Sequence, residues 1–182
     1  MNKIQTQSRR IRQFFQFFLI VTPIAVCYYW LTVGTTYDVL TRFGIVELSY
    51  DFSEYTQQPL TAMTRLFAAG ASLLLCAILM YALSVLIRLF RNYEHHEIFT
   101  LDNAICYQKL GRCLFYWVGG SIIHGALISV ILSFNNPPGE RMVTLSFQGL
   151  DFLTLVLGVI ILIISWVMRE GHDLADESRL TI

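Results

Sequence analysis

Four apolar runs, at about 14–33, 66–87, 114–134 and 150–168, are separated along the chain by polar stretches. Each is close to the roughly 20 residues a helix needs to cross the hydrocarbon of a bilayer. None contains Lys or Arg, and the sole acid is Asp151, at the extreme start of the last run. A central charge would cost about 2.5–3.5 kcal/mol on insertion scales, so charge-free runs are what membrane helices require. The pattern predicts an all-α integral membrane protein: a four-transmembrane-helix bundle forming one membrane domain over 1–182.

Composition agrees. Charged residues make up 14% of the chain and hydrophobic ones 55%, with mean hydropathy +0.55, where a soluble domain would carry about 25% charge. The zero net charge says little about partners, but the distribution of charge says more. Ten of the thirteen basic residues precede the first run, lie between the second and third, or follow the last; only Arg42, Arg65 and Arg141 lie on the other side. Basic loops stay cytoplasmic, so both termini and the central loop are expected to face the cytoplasm. The first run has a basic front like a signal peptide. Val26 stands where a cleavage box needs a small residue and the apolar stretch continues past it, so a retained anchor is expected.

The central segment 88–112 is polar, basic at both ends and still patterned. Thr100 suits a helix N-cap, with Asp102 in the first turn against the helix dipole. Gly111 reads as a bend into the third run. The segment is expected to form a cytoplasmic helical elbow at the membrane surface. The outer loops, 34–65 and 135–149, each carry a period-2 alternation. Val46, Leu48, Tyr50 and Phe52 alternate with Glu47, Ser49 and Asp51; Val143, Leu145 and Phe147 alternate with Thr144 and Ser146. That period predicts a small two-stranded periplasmic β ribbon capping the bundle. Pro23 lies mid-run, where a kink is expected, and Pro59 suits the first turn of the second helix.

The third run is the most informative. Ser121, Gly125, Ser129 and Ser133 recur every four residues, a slim ridge that lets another helix approach closely. His124 lies beside it, the one titratable side chain deep in a run. Such a residue is a candidate cofactor-binding group, although a neutral imidazole bonded to a serine or carbonyl of another helix serves as well. A bis-histidine haem would want a second intramembrane histidine. His95, His96, Cys106 and Cys113 are the residues that could ligate a metal, but their spacing matches no common zinc pattern. Cys106 and Cys113 are also about 10 Å apart along a helix, too far for a disulfide. There is no nucleophile–base pair or phosphate loop, and no basic stripe for nucleic acid. No cofactor and no catalytic residue are expected.

The phrases LFRNYEHHEIFTLDN after the second run, FQGLDFL at the start of the fourth and WVMREGHDLADESRLTI at the end together resemble the bacterial membrane proteins of domain-of-unknown-function family 2975. The resemblance covers about 80–182 closely and the first half by its layout; His95 and His96 stand where that family would be expected to carry less constrained polar residues. It implies a four-span inner-membrane protein with no assigned activity, often encoded beside a small helix-turn-helix regulator, hence a possible cytoplasmic protein partner besides the lipid bilayer. Since polar pattern concentrates in the elbow and tail, with Leu174, Leu180 and Ile182 as hooks onto the central loop, a non-enzymatic interaction or regulatory face is the leading expectation. A cofactor- or lipid-binding bundle centred on His124 and a small-molecule exporter are the alternatives.

Overall fold

Long apolar runs with no internal breaker but one proline should form long helices, and they do. The computed structural model describes residues 3–35, 37, 38, 55, 56, 59–137 and 139–180. Within them lie α1 (Lys3–Thr32), α2 (Ala62–Glu94), α3 (Leu101–Ser133) and α4 (Gly149–Leu180). Pro23 sits inside an unbroken α1. Each helix is long and apolar enough to span a membrane. At 33 residues, α2 and α3 reach about 50 Å, against about 30 Å of hydrocarbon. The surplus falls at the polar segment between them. Apolar side chains such as Phe17, Leu74, Ile123 and Leu157 face outward, the arrangement expected where lipid rather than water is the solvent.

The helix starts are capped as their sequences allow. Thr61 accepts the Thr64 amide at 3.2 Å, so α2 begins after Thr61 and Pro59 lies outside its first turn. Asp151 accepts the Gln148 amide at 2.8 Å, half of a capping box for α4.

The chain packs as two compact units. One comprises Met1–Ile20, Ile78–Val118 and Gln148–Ile182, the other Val21–Ala77 and Gly119–Phe147. In the first, α3 and α4 meet backbone to backbone. A Cβ at Gly111 would lie 2.7 Å from Leu162 Cδ2 and 3.1 Å from the Gly158 carbonyl oxygen, and one at Gly158 would lie 2.9 Å from the Phe115 ring. Gly111 is therefore a contact glycine within a continuous helix, not the expected bend. Next to the crossing, Ser165 donates to the Ala104 carbonyl at 2.7 Å, both buried.

In the second unit, Tyr29, Trp30 and Val33 pack with Ala68, Ala71, Ile128 and Leu132. Arg65 of α2 reaches across to the last turn of α1, donating to the carbonyls of Trp30, Leu31 and Val33, the last at 2.7 Å. The last carbonyls of a helix lack intrahelical donors as a rule, and a cation suits the negative end of the helix dipole.

The expected β ribbon is overturned: no strand occurs among the described residues. Its first half, 46–52, lies outside them. Its second half is an extended strap lying on α3. The Ser133 hydroxyl both donates to the Met142 carbonyl and accepts from the Met142 amide, each at 3.2 Å. Ser129 accepts the Thr144 amide at 3.0 Å, and Ser146 Oγ lies 3.9 Å from where a Cβ at Gly125 would sit. The registers agree for a simple reason: two extended residues advance about 6.6 Å and four helical ones about 6 Å, so a period-2 segment tracks a period-4 ridge. The alternation of Val143, Leu145 and Phe147 is real, but helix hydroxyls rather than a second strand satisfy the backbone beside it.

Candidate functional site

The elbow between α2 and α3 is held by a dense set of hydrogen bonds within the first unit. At the end of α2 the Glu97 amide returns to the Asn92 carbonyl at 3.1 Å and the His96 amide to the Tyr93 carbonyl at 3.2 Å. This is the paired geometry of a Schellman cap. The cap needs a left-handed residue, and His96 supplies it at φ 67°. Glycine is the usual occupant, although His is among the residues enriched there. Four residues after His96, Thr100 caps α3 from its side chain, accepting the Asn103 amide at 3.4 Å, as its sequence position anticipates.

Asn103, fully buried, is the centre of the turn. Its amide nitrogen donates to the carbonyls of Glu97 and Ile98, and its oxygen accepts from Asn92 Nδ2 at 2.8 Å. Asn92 spends its second N–H on Asp102 at 2.8 Å, and Arg88 bonds the same carboxylate through two nitrogens. The Asn92 amide first, and then the Arg88 guanidinium, hold the Asp102 carboxyl below the usual carboxylate range. Arg12 of α1 pairs with Glu94 at 3.0 Å, and the Tyr93 and Tyr107 hydroxyls meet at 2.7 Å. Burial, reinforced by that bond, pushes the Tyr93 phenol up. Among the described residues no buried side-chain nitrogen or oxygen lacks a partner. The backbone of 95–100 is thus held from inside, while Phe99 is 81% exposed and Leu101 points outward too.

The second unit holds the other polar cluster. His124 Nε2 lies 2.9 Å from Ser72 Oγ, and the same oxygen accepts the Trp30 indole N–H at 2.8 Å. One chain of hydrogen bonds therefore joins α1, α2 and α3. Ser72 and Trp30 were invisible as its members in the sequence, where nothing local pairs either of them with His124. The ridge of Ser121, Gly125, Ser129 and Ser133 lies on α3, and its last three positions carry the strap of residues 142–146.

The four residues that could ligate a metal do not converge. Among the described residues no group of three or more His, Cys, Asp or Glu is placed to hold an ion. His95 Nδ1 is 2.8 Å from the Arg91 carbonyl, while Cys106 and Cys113 are buried, and burial pushes the Cys106 thiol up, disfavouring the thiolate a metal needs. Of the tail hooks, Leu174 is exposed; the Leu180 side chain and Ile182 lie outside the described residues. Sequence reasoning missed Asn92 and Asn103 entirely, although an asparagine directly after the Thr100–Asp102 cap is a signal that could have flagged the second.

Four long apolar helices define a multi-pass membrane protein. Residues 52–182, well over half of the chain, match the family described as protein of unknown function (DUF2975), and the chain belongs to that family. No curated protein and no solved structure matches it.

Proposed function

We propose that this is a non-enzymatic protein of the bacterial inner membrane, with both termini in the cytoplasm, whose elbow and tail form a docking face for a cytoplasmic protein. By family resemblance that partner is a small helix-turn-helix regulator. One observation carries the reading: Phe99 is 81% exposed on a turn fixed by the buried Asn103 amide. A large apolar side chain held rigidly in the open loses little entropy on docking, and such anchors dominate interface energies. The basic residues around the elbow support the cytoplasmic orientation.

The rival reading, a cofactor bundle centred on His124, is weakened because Ser72 already engages Nε2 and Trp30 closes the far side of that serine. Photo-crosslinking from position 99 in living cells tests the docking face. A single specific protein adduct, lost in Asn103→Ala and independent of bilayer composition, is the expected result. Crosslinks to lipid alone, or accessibility of residues 93–109 from the periplasm, would refute it.

A further inference from the structure

Within the first unit, α3 and α4 enclose a surface groove of about 280 Å³ lined by Gln108, Arg112, Leu162, Ser165, Trp166 and Arg169. Gln108 and Arg112 are one turn apart on α3. Leu162, Ser165, Trp166 and Arg169 follow the i, i+3, i+4, i+7 stripe of α4, so both rows face the same gap. The glycine crossing at Gly111 and Gly158 brings the two backbones close enough for these side chains to share it. The Ser165 hydrogen is committed to the Ala104 carbonyl, which leaves the two guanidiniums, the Gln108 amide and the Trp166 indole as donors.

The groove carries two cations and no acid. Neither Arg112 nor Arg169 forms an ion pair among the described residues, where the only pairs join Arg12 to Glu94 and Arg88 to Asp102. Asp173, one turn beyond Arg169, is not paired with it. Two like charges placed together without a counter-charge make an anion site, and guanidiniums match phosphate oxygens through paired donors. Depth narrows the choice of anion. Arg112 immediately precedes the third apolar run and Arg169 follows the fourth, which sets the groove at the headgroup level. Its floor is Leu162, and beside it Val159 and Ile163 face outward at 48% and 51% exposure, a surface suited to acyl chains. Exposed Trp166 stands at the boundary between the two.

We propose that this groove binds an anionic phospholipid, with its phosphate between Arg112 and Arg169 and its chains along the outer face of α4. A soluble phosphate would use the same guanidiniums but would gain nothing from the apolar floor.

The test is native mass spectrometry of the full chain in detergent, offered equimolar phosphatidylglycerol and phosphatidylcholine with identical chains. The wild type should retain the anionic lipid roughly tenfold better, since each basic group near an anionic headgroup contributes a few-fold in affinity. Arg112→Gln with Arg169→Gln should bring the two lipids to parity, whereas Arg9→Gln with Arg10→Gln, removing equal charge elsewhere, should leave the preference intact. Arg112→Gln alone, expected to lose about half of the preference on a logarithmic scale, serves if the double variant does not fold. Equal binding by the wild type, a preference undiminished in either Arg112 variant, or its loss in the Arg9 and Arg10 variant would overturn the proposal. Displacement of the lipid by millimolar inorganic phosphate would assign the groove to the free anion and overturn it too.

Discussion

Replacing Gly111 by alanine sets two opposed effects against each other in one helix. Alanine favours helix over glycine by about 1 kcal/mol, so propensity alone predicts stabilisation. The added methyl, however, would lie 2.7 Å and 2.8 Å from two Leu162 carbons and 3.1 Å from the Gly158 carbonyl oxygen. Carbon atoms pack at about 3.5–4.0 Å, so the overlap approaches 1 Å. Leu162 Cγ is not a flexible tip, and the Gly158 oxygen is backbone; relief requires α3 and α4 to move apart. Overpacking of this kind costs about 1–3 kcal/mol, which leaves Gly111→Ala destabilised by up to about 2 kcal/mol after the propensity gain of about 1 kcal/mol. Gly119 supplies the control: it lies in the same helix, with nothing within 4 Å of its Cβ position. Gly119→Ala should be neutral or stabilising by up to about 1 kcal/mol. Thermal or denaturant unfolding of both variants in one detergent reads the difference directly. Equal shifts of the same sign would refute the close crossing and return Gly111 to an ordinary helix position.

Other consequences follow from the elbow. Asn103→Ala leaves two carbonyls and one Asn92 N–H without their partner. It should cost about 2–4 kcal/mol, read as faster amide hydrogen exchange at residues 95–103; unchanged exchange would contradict the assigned role. His96→Gly relieves a left-handed residue worth about 1–2 kcal/mol, less about 0.5–1 for the freer unfolded chain, so stability should rise by roughly 0.5 kcal/mol. A fall would show that the imidazole itself matters. The lowered Asp102 carboxyl adds stability that is present above its unfolded value, about 3.9, and is lost as pH falls through its depressed folded value. The wild type should therefore exceed Asp102→Asn in stability at neutral pH and converge with it in acid; a gap constant down to about pH 2 would exclude the carboxylate as its source.

The helices were legible because a bilayer imposes one length and forbids charge, and the four runs obey both conditions. Thr100 was legible because capping is local. Gly111 was not, because a glycine that bends a helix and one that lets a neighbour touch it look alike in sequence; only Leu162 and Gly158, about fifty residues away, distinguish them. The strap at 142–146 has the period of a strand because it is extended, and period alone does not name the partner. Ser129 and Ser133 announced a close approach without saying whether a helix or a strap would make it. Ser72 and Trp30 became partners of His124 only through a long-range fold, which local pattern does not encode. Asn103 is polar in composition yet fully buried, and hydropathy counts it on the wrong side.

Arg65 leaves a last consequence for the end of the first helix. One guanidinium on α2 clasps the carbonyl end of α1, so those two ends are tied by a side chain as well as by the chain that links them. Loss of that single side chain would strip those carbonyls of their donor, while the packing of Tyr29, Trp30 and Val33 would still hold the body of the helix in place.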